Sequence, residues 1–139
     1  MHLKTVTVIL CLSMSGTSVF AESLTITQRS IAQEMSETVL NYAILSRLKD
    51  MCANVVVDEA KLSAHRNHVV SLAQKVFSST QDFMVAAGAG EKEKRGASMR
   101  RFFMDRGVKW TSSAKEYCEL AQSLEETQSA LSAYFQFRQ

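Results

Sequence analysis

The sequence predicts an all-α fold, either a four-helix bundle-like arrangement or an irregular helical domain, held by one disulfide. Three observations predict this class. The chain contains no proline. Apolar residues recur every three or four positions over long stretches, which is the helical period. No run alternates apolar and polar residues between hairpin signals, as paired strands do.

The first two predicted helices account for the chain between residues 27 and 87. The first runs from about Thr27 to Val55, with one apolar stripe of Ile31, Met35, Val39, Tyr42, Leu45, Leu48, Cys52 and Val55. The run NVVVDEA interrupts it, because three β-branched valines are poor helix formers and Asp58 is a good N-cap. The second helix spans about Glu59 to Ala87, with an apolar face of Leu62, His65, Val69, Leu72, Val76, Phe83 and Ala87.

Two further helices are predicted after the glycines at positions 88 and 90. The third runs from about Glu91 to Arg106, and Gly107 suits the position after a helix end. The segment VKWTS is a connector. Ser113 and Glu116 have the spacing of a capping box, which begins a fourth helix that continues nearly to the C-terminus. Short connections between four helices favour antiparallel packing.

The first 21 residues have the layout of a secretory signal peptide, and residues 22–139 that of a single helical domain. Lys4 gives a basic start, and no charge follows from Thr5 to Phe20. Val19 and Ala21 occupy the −3 and −1 positions of a cleavage site. We expect cleavage near Ala21 and a periplasmic or secreted mature chain without a transmembrane segment. A buried N-terminal helix and an uncleaved or lipid anchor are the alternatives.

Cysteine count and charge restrict the mature chain further. The 16 lysines and arginines, less Lys4, leave 15 against 14 acidic residues, and this balance argues against nucleic-acid binding. Only Cys52 and Cys118 remain, and an even pair in an exported chain predicts a disulfide. A bridge across about 66 residues is worth roughly 4 kcal/mol in the chain-entropy model. Free thiols or a redox pair are the alternatives, although no CxxC spacing supports catalysis by thiols.

His65 and His68 are the only histidines after the predicted signal peptide. Three residues apart on a helix, they share a face and could supply two metal ligands. Two ligands do not hold a metal ion tightly, and we expect His65 to belong to the apolar face instead. We predict no catalytic residue, cofactor or metal site, and hence a protein that is not an enzyme. A metal or enzymatic site at this pair is the alternative.

The basic-aromatic segment, residues 91–110 (EKEKRGASMRRFFMDRGVKW), is the most basic part of the chain. Aromatic residues are interleaved with its basic ones. That combination is typical of a surface that binds an acidic partner or an anionic membrane, although the basic side chains could also form only a solvated rim. The predicted partner-binding residues are Lys94, Arg95, Arg100, Arg101, Arg106, Lys109 and Trp110.

A family resemblance rests on three segments of the chain: LSRLKDMC, EKEKRGASMRRFFMDRGV and YCELAQSLEETQSALSAYF. The first and the last of them each contain a cysteine. The chain resembles an uncharacterised family of small exported alphaproteobacterial all-helical proteins with two cysteines. This resemblance implies a helical domain of unknown function, with no catalytic residue to carry over. A looser likeness is to the small periplasmic acid-stress chaperones, which are helical with one disulfide. This chain is longer than they are, and its cysteine spacing is wider.

The sequence therefore predicts a small exported non-enzymatic helical protein. It would bind a protein partner or an anionic surface, and no nucleic acid, through the basic-aromatic segment. One alternative is a periplasmic acid-stress chaperone-like protein. The other is a metal-binding protein or enzyme that uses His65 and His68.

Overall fold

The computed structural model describes residues 23–138, which are mostly helical. Within them are five α-helices, a short 3-10 turn (Ala130–Tyr134) and a two-stranded sheet of β1 (Val55–Val57) and β2 (Phe135–Phe137). The helices are α1 (Ile26–Met51), α2 (Glu59–Ala73), α3 (Thr80–Ala86), α4 (Lys92–Met104) and α5 (Ala114–Glu126). The predicted helical class with one disulfide is confirmed, although the helix boundaries differ. The predicted signal peptide and its cleavage near Ala21 lie outside the described residues.

The long helix α1 packs against both hydrophobic clusters. A smaller cluster joins the first half of α1 to α2 and α3 through Ile31, Met35, Val69, Ala73, Phe83 and Ala87. A larger cluster joins its second half to α4, α5 and the sheet, and its fully buried members include Leu45, Leu48, Cys52, Phe103, Tyr117 and Ala121. Helix α1 is therefore the element on which the other helices are arranged.

Helix α1 begins and ends close to the predicted positions. Thr25 and Gln28 form a capping box at its start, and the helix ends at Met51, before the predicted interruption. The valines that follow form β1 rather than a bare loop, since β-branched residues favour strands. This strand pairs antiparallel with β2, with Val56 opposite Gln136. The sequence did not predict that sheet.

Two members of the predicted α1 stripe are not in the core. Val39 and Tyr42 are 36% and 53% exposed, whereas Thr38 and Ile44 are buried. The prediction was wrong here because the buried face of α1 runs through Thr38 and Ile44 instead, and Val39 and Tyr42 line an open groove between α1 and α2.

The predicted second helix is two helices. Helix α2 ends at Ala73, and α3 begins at Thr80 with Ser79 as its N-cap, whose hydroxyl accepts from the Asp82 N–H at 3.1 Å. Serine and threonine side chains compete with helical hydrogen bonding, so the run Ser78–Thr80 favours a new helix start over continuation. Gln28 of α1 holds the intervening turn by donating to the Val76 carbonyl at 2.8 Å.

The predicted fourth helix also ends early. Its capping box of Ser113 and Glu116 is confirmed, but α5 stops at Glu126, and Gln128 takes a positive φ of 50°. This left-handed residue turns the chain into the 3-10 turn and then β2. Glu125 accepts a hydrogen bond from the Phe137 N–H at 2.9 Å, which ties β2 to α5.

The disulfide Cys52–Cys118 is confirmed and links the end of α1 to the first turn of α5. The two Cα atoms are 5.2 Å apart, within the usual range for a disulfide. Across residues 23–138, no helix has the length and hydropathy that crossing a membrane requires.

Candidate functional site

The basic-aromatic segment forms α4 and the connector between α4 and α5. Phe103 is fully buried beneath α4, and Phe102 is half-buried beside it. Arg100 and Arg101 lie on the exposed side of the helix. Gly107 has a φ of +77°, so the chain leaves α4 through a left-handed residue and enters the connector. The helix therefore turns Phe103 into the core and leaves Arg100 and Arg101 in solvent.

A line of stacked aromatic and cationic groups starts at the end of α4. The Arg106 guanidinium lies 3.9 Å from the centre of the Phe102 ring. Phe102 meets Phe103 edge to face at 5.4 Å, and Phe103 meets Tyr117 of α5 at 5.3 Å. Such edge-to-face pairs are favourable beyond the area that they bury. They fix the end of α4 against the first turn of α5.

The same line continues to α1 and returns to the connector. The Arg47 guanidinium lies 5.2 Å from the Tyr117 ring centre and 4.1 Å from that of Trp110, which is 43% exposed. Arg47 also donates to the Trp110 carbonyl at 3.1 Å, and the Tyr117 hydroxyl donates to the Lys109 carbonyl at 3.2 Å. We call this set the aromatic ladder: Arg106, Phe102, Phe103, Tyr117, Arg47 and Trp110.

The positive charge of Arg47 is surrounded by neutral groups. The side chain is half-buried, and its hydrogen bonds go to a backbone carbonyl and, at 3.4 Å, to the Tyr117 hydroxyl. No carboxylate among residues 23–138 forms an ion pair with it. Its positive charge is therefore held by two aromatic faces and two neutral oxygen acceptors, none of which neutralises it.

Three of the seven predicted partner-binding residues make local side-chain contacts. Lys94 pairs with Glu91 at 2.9 Å. Arg95 is half-buried and donates to the carbonyls of Gly88 and Ala89 at 2.6 and 3.3 Å, which closes the turn before α4. Arg106 donates to the Phe102 carbonyl at 3.1 Å. Arg100, Arg101 and Lys109 are exposed, and the exposed Arg106 and Trp110 belong to the aromatic ladder.

Glu116 is an acidic residue whose charge interacts with that of Lys109 on this surface. The Ser113 backbone N–H, together with its hydroxyl, holds the pKa of Glu116 below the ordinary value, and the positive charge of Lys109 lowers it further. Glu116 is thus an ionised cap on α5 that offsets part of the charge of Lys109. Arg47, Arg100 and Arg101 have no such neighbour within ion-pair distance in the described part of the chain.

Sequence reasoning missed Arg47, although a signal was present. It precedes Cys52 by five residues, and Tyr117 directly precedes Cys118. Once the disulfide is predicted, the last turns of the first helix must lie against the start of the last one. A basic residue between the buried positions 45 and 48 would then be expected to face an aromatic ring next to Cys118.

The two histidines have different surroundings. His65 is half-buried, with its Nε2 atom 3.8 Å from a carboxylate oxygen of Glu34 and its ring 6.0 Å from that of Tyr134. His68 is exposed. In residues 23–138 no group of three or more His, Cys, Asp or Glu side chains is placed to hold a metal ion. Glu34 therefore adds a neighbour to His65 but no metal-binding cluster.

Comparison with known proteins gave no match: no family model, curated protein or solved structure is similar to this chain. The resemblance to the exported two-cysteine family stays a prediction, as do the chaperone-like and metal-binding alternatives.

Proposed function

We propose that this protein is a small exported non-enzymatic binding protein whose basic-aromatic segment, together with Arg47, contacts an acidic surface of a protein partner. The observation that supports it most is the Arg47–Trp110 stack. Arg47 has no carboxylate partner within residues 23–138, and its guanidinium lies 4.1 Å from the ring centre of the exposed Trp110, beside further exposed cations. Arginine and tryptophan are the residues most enriched where binding energy concentrates in protein interfaces.

An acidic protein fits this surface better than an anionic membrane. Trp110 lies against the Arg47 guanidinium, and its carbonyl is held by the same side chain. A membrane-binding tryptophan inserts its ring among the lipid headgroups, which would require Trp110 to leave Arg47. A protein partner can instead place a carboxylate on the free edge of the guanidinium, while the tryptophan stays in place.

The experiment compares binding of two anionic probes to the purified protein. Poly-L-glutamate stands for an acidic protein surface, and phosphatidylglycerol vesicles stand for a membrane. We expect saturable binding of poly-L-glutamate that weakens steeply between low and physiological salt, with weaker binding to vesicles. Stronger binding to the vesicles would indicate that the surface binds a membrane, and would contradict a protein partner.

Charge-matched variants locate the surface. Arg100→Gln/Arg101→Gln removes two exposed positive charges of α4, and Arg29→Gln/Lys75→Gln removes two exposed charges from elsewhere. We expect the first variant to lose several-fold in affinity for poly-L-glutamate and the second to bind nearly as the wild type. Equal losses in both would show a response to net charge alone and contradict the proposal.

A further inference from the structure

A groove of about 430 Å³ lies between α1 and α2 and shares no residue with the basic-aromatic segment. Its α1 side carries Val39 and Tyr42, the two apolar-stripe residues that remain exposed. The α2 side of the groove is lined by Glu59, Leu62, Ser63 and Arg66, among which Ser63 has the smallest side chain. Its volume falls within the roughly 300–1,000 Å³ of small-molecule sites. The helix pair thus keeps part of an apolar stripe open to solvent.

The base of the groove is apolar in character. Leu62 is buried there. Thr38 is also buried, and its hydroxyl donates to the Glu34 carbonyl at 2.7 Å, so that hydroxyl is already satisfied within α1. A hydrocarbon chain placed over Leu62 and Thr38 would leave no polar group of these two side chains without a hydrogen bond. It would therefore avoid the usual cost of burying unpaired polar atoms.

The charges on the α2 side of the groove are not equivalent. Glu59, at one end, lies 3.4 Å from the Lys49 ammonium, so its charge is offset. Arg66, at the other end, is exposed, and within residues 23–138 no carboxylate pairs with it. These two residues are seven positions apart on the helix, a distance of about 10 Å along its axis. The groove therefore offers one uncompensated positive charge beside an apolar trough.

We propose that this groove binds a small amphipathic carboxylate, with the carboxylate on Arg66 and the hydrocarbon body along Val39 and Tyr42. A guanidinium matches a carboxylate with two parallel hydrogen bonds. A ligand with an ammonium head would be repelled by Arg66, and a neutral alcohol would keep only the apolar contacts. Charge complementarity thus selects the acid.

The test uses octanoate as the probe and octanol as its neutral counterpart, followed by amide chemical shifts of the ¹⁵N-labelled protein. We expect octanoate to bind saturably below its micelle concentration, with shifts at the amides of Val39, Tyr42 and Leu62, and octanol to bind more weakly. Arg66→Gln should weaken the affinity for octanoate about ten-fold, as for one lost charge-assisted contact. The affinity for octanol should stay unchanged.

Two further variants make the test decisive. Ser63→Leu fills the groove and should abolish binding of both probes. Arg100→Gln, on the basic-aromatic segment, should leave octanoate affinity unchanged. The octanoate test can therefore fail while the proposed function holds, and the reverse is also possible. Unchanged octanoate affinity in Arg66→Gln overturns the proposal. A dimer of the free protein that Ser63→Leu dissociates would assign the groove to a second copy and overturn it too.

Discussion

At the scale of single residues, backbone conformation sets the cost of changing Gly107. A Cβ added there would meet no atom within 4 Å, but its φ of +77° is left-handed. We expect Gly107→Ala to destabilise the protein by about 1–2 kcal/mol, the cost of a left-handed L-residue. Gly90→Ala, where a Cβ also meets nothing and φ is not left-handed, is the matched control. Urea unfolding that gives equal losses for both would refute the conformational argument.

The contribution of Glu116 to stability depends on pH. The lowered pKa of Glu116 means that the folded state favours its ionised form. Its contribution is therefore present above the ordinary value of 4.5 and is lost as pH falls through the folded pKa. In Glu116→Gln the stability deficit should be largest near neutral pH and shrink toward pH 3.

The control for this prediction is Glu119→Gln on the same helix, whose carboxylate contacts the Lys115 ammonium at 3.7 Å instead of capping the helix. Urea midpoints at both pH values give the comparison. If the deficit of Glu116→Gln is the same at pH 3 as at pH 7, the capping interaction is not the source of the shift.

At the scale of elements, Arg47 joins α1 to the connector between α4 and α5. Arg47→Gln removes the stack on Trp110 and weakens the hold on its carbonyl, at a cost of about 1 kcal/mol. Trp110 is the only tryptophan of the chain, so acrylamide quenching of its fluorescence reports on this site alone. We expect faster quenching in Arg47→Gln, whereas Arg29→Gln should match the wild type. Unchanged quenching in Arg47→Gln would show that the connector does not depend on Arg47.

Elements with strong local signals were predictable from the sequence. The capping box of Ser113 and Glu116 places the start of α5, and Gly107 marks the turn after α4. The break between α2 and α3 was missed, because apolar spacing continues through Val76 to Phe83 and conceals the serines between them. The sheet was missed because three-residue strands carry too little pattern to signal pairing with a partner about 80 positions away.

The candidate site was predictable only in part. Segment composition identified the exposed arginines of α4. It could not show that Arg95 closes a turn, since that depends on backbone carbonyls of the preceding loop. It also could not show that Val39 and Tyr42 face a groove, because this depends on which α2 residue lies opposite them.

At the scale of the whole molecule, the disulfide joins α1 and α5, which contribute Arg47 and Tyr117 to the aromatic ladder. Cys52 and Cys118 are 66 residues apart, and closing that loop is worth roughly 4 kcal/mol. We expect reduction to lower the free energy of unfolding by about this amount, measured by urea titration with and without reductant. The variant Cys52→Ala/Cys118→Ala should not respond to reductant. A reduced wild type with an unchanged midpoint would contradict a stabilising role.

In the function that we propose, an acidic partner binds where the aromatic ladder reaches the surface. The most direct test is a titration of the ¹⁵N-labelled protein with poly-L-glutamate, followed by amide shifts and by the Arg47 side-chain Nε–H signal. We predict saturable shifts at Arg47 and across residues 100–110 that disappear at high salt. Shifts confined to other parts of the chain, such as the α1–α2 groove, or no saturable shift at low salt, would contradict the account.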